Sequence, residues 1–110
     1  MLAVLGMIAT ALAVGGIVYL VVKLTVNFIK TYRKRKNSKV VAADMKQLIK
    51  AAAKDPNVGH VSFDDLDDDT VIAEYDEEND EIVQTNVSDD VDDKVTNLIR
   101  RNNGVMIIED

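Results

Sequence analysis

From Met1 to Val22 no side chain carries a charge, and the first that does is Lys23. A helix from Leu2 to Val22 is about 30 Å long at 1.5 Å per residue, close to the thickness of a bilayer's hydrocarbon core. The run therefore predicts a membrane-spanning helix, with an interfacial extension through Leu24–Ile29 in which Lys23 reaches back to the headgroups. Ala9-Thr10-Ala11 and Ala11-Leu12-Ala13 offer small-residue cleavage patterns. Yet no basic side chain precedes the run and it continues past both sites, so a retained anchor is expected over a cleaved signal.

Beyond the anchor the pattern changes to short periodic segments. Val41, Met45, Leu48 and Ala52 recur at helical spacing and predict a helix over Val40–Lys54, stopped by Asp55-Pro56-Asn57. Val58–Phe63 is a strand candidate, and Asp64–Asp69 a polar loop. Val71, Ala73 and Tyr75 alternate with Glu74 and Asp76, which predicts a strand over Thr70–Asp76 with one wet face. Glu81–Val87 is its partner across Glu77-Glu78-Asn79-Asp80, a connection suited to a hairpin.

Ser88 is a good helix N-cap, with Asp89, Asp90, Asp92 and Asp93 at the positive end of the helix dipole. Val91, Val95, Leu98 and Asn102 make one stripe, and Gly104 a stop. Val105–Ile108 is apolar on both faces and is expected to be an inner strand. The fold class expected is a single N-terminal transmembrane helix followed by a small α+β domain (helix, strand, β-hairpin, helix, strand). Its divisions are 1–29 for the anchor, 30–39 for a basic juxtamembrane segment and 40–110 for an acidic domain.

Charge sharpens that division. Residues 1–54 hold ten Lys/Arg and one acid; residues 55–110 hold three Lys/Arg and eighteen acids, within a net charge of −6. Lys23, Lys30, Arg33, Lys34, Arg35, Lys36 and Lys39 follow the apolar run with no acid among them. Basic residues beside a span stay on the cytoplasmic side, which predicts an outer N-terminus and a cytosolic domain. The same residues are expected to hold anionic headgroups, at roughly 1 kcal/mol each near the surface. The acidic half would repel phosphates, so nucleic acid is not an expected partner. With no cysteine, disulfides, thiolate metal sites and cysteine nucleophiles are excluded.

Candidate chemistry is sparse. Asp65, Asp67 and Asp69 fall at positions 1, 3 and 5 of a calcium-loop pattern, with Asp76 at position 12. Alternate carboxylates in a tight loop can converge on a cation. Thr70, however, stands where the pattern needs glycine, and Asp76 where it needs a bidentate Glu. His60 is the one histidine and has no second soft ligand to share a metal. Gly6, Ala9, Thr10, Ala13 and Gly16 lie at three- and four-residue steps within the span, a spacing that lets helix backbones approach.

No catalytic residue and no cofactor is expected. The function expected is a membrane-anchored adaptor or accessory subunit presenting its acidic domain to a protein partner, in a membrane complex or by self-association through the span. Two alternatives are an exported assembling subunit (pilin-like, or a viral membrane or coat protein) and a calcium-responsive regulator.

Overall fold

Four antiparallel strands form the middle layer of the molecule in the order β3-β2-β1-β4. The computed structural model describes residues 2–54 and 69–108. In chain order the elements are α1 (Leu2–Gly15), α2 (Val26–Thr31), β1 (Lys39–Asp44), α3 (Met45–Lys54), β2 (Thr70–Asp76), β3 (Glu81–Ser88), α4 (Asp93–Arg101) and β4 (Val105–Ile108). The strand candidate Val58–Phe63 lies outside the described residues.

Helices cover both faces of the sheet. On one, Leu5, Ile8, Ala9 and Leu12 of α1 and Met45 and Leu48 of α3 pack on Val41, Ala43, Val71, Ala73 and Val87. On the other, Leu24, Ile29, Tyr32, Val95 and Ile99 pack on Val40, Ala42, Ile72 and Met106. The alternation of strand side chains produces this sorting: successive residues of β1 enter opposite clusters.

Among the described residues no helix is long and apolar enough to cross a membrane. This overturns the expected single-pass anchor, its orientation and the membrane localisation. The uncharged run divides: α1 has 14 residues, about 21 Å of helix. It ends where Gly16 takes φ +84°, a conformation glycine adopts freely, and the Gly16 N–H still reaches Leu12 O at 3.0 Å. Run length alone carried the membrane expectation, and it holds no information about such a break.

Three smaller expectations also change. Val40–Asp44 is strand and not helix, because residues buried on both sides of a central strand are apolar throughout and mimic a buried helix. The α4 helix starts one turn later than Ser88: Asp92 is the N-cap, and its carboxylate accepts from Lys94 N–H at 3.3 Å. Ser88 closes β3 instead. Val105–Ile108 is an edge strand, apolar on both faces because helices cover both sides of the sheet, and not because strands flank it.

The hairpin is as expected in place and length, with β2 and β3 joined through Glu77–Asp80. Asp80 takes φ +52° at the turn. A register shift after Glu74 leaves Val83 as an extra residue on β3.

Candidate functional site

The second half of the uncharged run lies along the outer margin of β3. Val87 N–H donates to Val18 O at 3.0 Å, Leu20 N–H to Val87 O at 2.9 Å, and Leu24 N–H to Asp90 O at 2.9 Å. Asp92 N–H returns a bond to Leu24 O at 2.9 Å. The segment thus covers part of a sheet edge that would otherwise offer free backbone groups. Leu24 is fully buried and Leu20 packs against the same cluster.

The other side chains of this segment face outward. Val14 is 84% exposed and Val21 99%, and Ile17, Val18, Tyr19 and Val22 complete an apolar ridge along this stretch of chain. These six are the exposed large hydrophobic residues among those described. Scattered apolar surface is normal, but contiguous apolar surface marks a contact site. Its rim is acidic. Tyr19 Oη donates to Asp69 Oδ2 at 2.9 Å, and Asp89 and Asp90 lie where β3 leaves the sheet. Partial burial, then the hydrogen bond and negative charge of Asp69 with that of Asp89, raise the Tyr19 pKa.

The basic segment does not form an independent collar. Thr25 caps α2 by accepting from Phe28 N–H at 3.1 Å, and α2 carries the chain to Tyr32 over the sheet. There Lys34 and Arg35 turn their backbone N–H groups onto the two carboxylate oxygens of Glu74, each at 2.8 Å. Gln84 Nε2 donates to Glu74 at 2.8 Å and to Tyr32 O at 2.7 Å. Tyr32 Oη donates to Asn86 Oδ1 at 2.6 Å. Burial works to raise the Glu74 pKa; the N–H donors of Lys34, Arg35 and Gln84 more than offset it, so the carboxyl titrates below its ordinary value. The buried Tyr32 hydroxyl is shifted the other way, by desolvation and then by the Glu74 charge.

Side chains repeat the pattern at the surface. Arg35 bridges Asp76, at 2.7 Å, and Glu81. Lys39 pairs with Glu77 at 2.6 Å. Hydrogen bonds from the Asn79 side chain and Arg35, with the Asn79 N–H, depress the Asp76 carboxyl to about 2. Two of the seven basic side chains, Arg35 and Lys39, are thus paired with the hairpin of their own chain. The β2 face bearing Ile72, Glu74 and Asp76, expected to be wet, is buried.

The remaining sequence candidates are dispersed. Gly6 and Ala9 are buried beneath the sheet-facing side of α1, whereas Thr10 turns its hydroxyl back to Gly6 O at 2.9 Å, and Ala13 and Gly16 are exposed. The small-residue stripe therefore splits between the domain's own core and solvent. Lys23, Lys30, Lys34 and Lys36 are exposed, and Arg33 Nη1 donates to Ser38 O at 2.9 Å. Asp69 and Asp76 stand at opposite ends of β2, roughly 23 Å apart at 3.3 Å per residue. One ion cannot bridge them, and no group of three His, Asp or Glu among the described residues could hold a metal. Asp65, Asp67 and His60 lie outside the described residues.

A cavity of about 320 Å³ opens beside the start of α3, lined by Asp44, Lys46, Asp89 and Arg100 with Thr70 and Thr96. Both charge signs are present without a nucleophile paired to a base. Comparison with protein-family models, curated proteins and solved structures finds no match. The ridge and the Glu74 latch were both beyond reach of sequence reasoning. Each depends on partners tens of residues away, and only the unbroken apolar character of Ile17–Val22 signalled the first.

Proposed function

We propose that this chain is a protein-interaction module whose acidic domain receives an apolar, basic-flanked extended segment of a protein partner along the ridge from Val14 to Val22. The observation that supports this reading is the ridge itself, six exposed apolar side chains between Val14 and Val22 at the margin of a sheet. Covering one such side chain is worth about 1.5–3 kcal/mol, so a few suffice for a specific contact after the cost of association. Extended backbone at a sheet margin suits a strand-like ligand, which gains main-chain bonds as well as side-chain contact. Asp69, Asp89 and Asp90 at the rim favour a basic partner and oppose anionic lipid headgroups.

The test is fluorescence anisotropy with a labelled peptide of alternating Val and Thr, flanked by Lys in one version and by Glu in the other. The Lys-flanked peptide should bind saturably and the Glu-flanked one poorly. Val21→Asp should weaken the first by about tenfold or more, since it places charge in the contact. Equal binding to wild type and Val21→Asp would sink the reading. Binding to neutral phosphatidylcholine vesicles with none to either peptide would replace it with a lipid-surface role.

A further inference from the structure

Helix α4 ends in two residues of positive φ, Asn103 at +61° and Gly104 at +92°. Asn103 N–H reaches back to Arg100 O at 3.1 Å, and Gly104 N–H to Ile99 O at 2.8 Å. This pair of bonds is a Schellman cap. On its other side Gly104 O accepts from Asp44 N–H at 2.8 Å, so one buried glycine ties α4 to the end of β1. Asn103 itself is exposed.

This is also the only place in the sequence where asparagine precedes glycine. A backbone nitrogen can attack the carboxamide carbon of an asparagine just before it. A side chain on the attacking residue obstructs that approach, and glycine has none. The nitrogen must first lose its proton to water. The bond from Gly104 N to Asn103 Cγ then forms, the Cγ–Nδ2 bond breaks, and ammonia leaves with a proton taken from water. Water opens the resulting succinimide at either carbonyl. One opening gives aspartate at 103; the other gives an isoaspartyl link, with the main chain running through Cβ and Cγ. The net exchange is one water consumed for one ammonia released, with nothing oxidised or reduced.

The fold restrains this reaction. Gly104 is buried and its N–H is engaged with Ile99 O, and such an amide is freed only when the structure around it opens. Helix ends are where opening is easiest. We propose that Asn103 is a self-modification site gated by the α4 cap. Each opening of the cap frees Gly104 N to attack Asn103, so the chain keeps a covalent record of its own local unfolding. The two products differ in consequence. Aspartate accepts the left-handed turn as asparagine does, but sets a negative charge at the negative end of the helix dipole. The isoaspartyl link lengthens the main chain by one carbon between Asn103 and Gly104, which puts the Ile99 and Asp44 bonds of Gly104 out of register.

Peptide mapping by mass spectrometry, on the whole chain incubated at mildly alkaline pH, tests the proposal. In urea that unfolds the chain, Asn103 should convert from amide to acid faster than any other asparagine. In the fold the same conversion should be slower by about tenfold or more. Asn102→Ala removes the bond from Asn102 Nδ2 to Leu98 O, at 2.7 Å, and loosens the cap. Its rate in the fold should rise severalfold, while its rate in urea matches wild type and its circular dichroism is unchanged. Equal wild-type rates in the fold and in urea would mean that the cap guards nothing. Conversion in urea no faster at Asn103 than at other asparagines removes the site, and a folded rate untouched by Asn102→Ala removes the gate.

Discussion

The two faces of the sheet are held by different physics. Under α1 and α3 the buried contact is built from Leu, Ile, Val, Ala and Met, with Tyr75 packed at its margin. Under α2 and α4 the aliphatic contact surrounds a buried carboxylate, Glu74, whose partners include two backbone N–H groups at the end of the α2 arm. Apolar packing is non-directional and tolerates sliding; a buried carboxylate accepts bonds only along particular directions. The first face thus supplies cohesion, and the second sets where one segment must lie.

Removing Glu74 should have the largest effect. Glu74→Ala strands the Lys34, Arg35 and Gln84 donors and is expected to cost about 4 kcal/mol in urea unfolding. Glu74→Gln, which keeps an acceptor, should cost about half as much. On the other face Ile8→Ala opens a cavity worth about 3 kcal/mol. Combined with Glu74→Gln it should be additive to within about 0.5 kcal/mol, because the sheet separates the two sites. Strong coupling between them would erase the distinction between the faces. Tyr32→Phe is a gentler probe: it leaves Asn86 Oδ1 short of a donor, and should cost about 1–2 kcal/mol.

Acid provides the subtlest test. Asp76 titrates at about 2 in the fold against 3.8 ordinarily. Its lowered pKa contributes stability that is complete above 3.8 and is lost as pH falls toward 2. Glu74, also lowered, acts in the same direction. Unfolding midpoints measured from pH 5 downward should therefore fall in wild type and less steeply in Asp76→Asn. Ile8→Ala should keep the wild-type slope, since no carboxylate lies in its cluster. A slope unchanged by Asp76→Asn would show that the hairpin carboxylate is not part of the latch.

These differences also explain what could be read from the sequence. The alternation Val71, Ala73, Tyr75 and the polar run Glu77–Asp80 are local signals, and the hairpin stands where they place it. Gly104, with φ +92° and a Cβ position only 2.3 Å from Gln47 Cγ, likewise marks the stop of α4. By contrast, Val40-Val41-Ala42-Ala43 carries no periodicity to separate central strand from buried helix, and length alone made Met1–Val22 look like a span. Glu74 resembled a solvent-facing acid because its partners, Lys34 and Arg35, lie about 40 positions earlier. The basic-then-acidic order of the chain was legible, but whether the two blocks meet a membrane or each other is decided only by the fold.

The position of β1 at the centre of the sheet has a consequence for how the chain comes into being. Its neighbours are β2 and β4, and the surfaces that cover α1 (Val41, Met45, Val71 and Val87) all follow it in sequence. During synthesis the uncharged first segment emerges before any of its cover exists, and β1 gains its second neighbour only with Val105–Ile108. Such long-range closure is slow and leaves apolar surface uncovered meanwhile. For that interval the nascent chain presents a bare apolar helix to its surroundings, with the core that will hide it still to be translated.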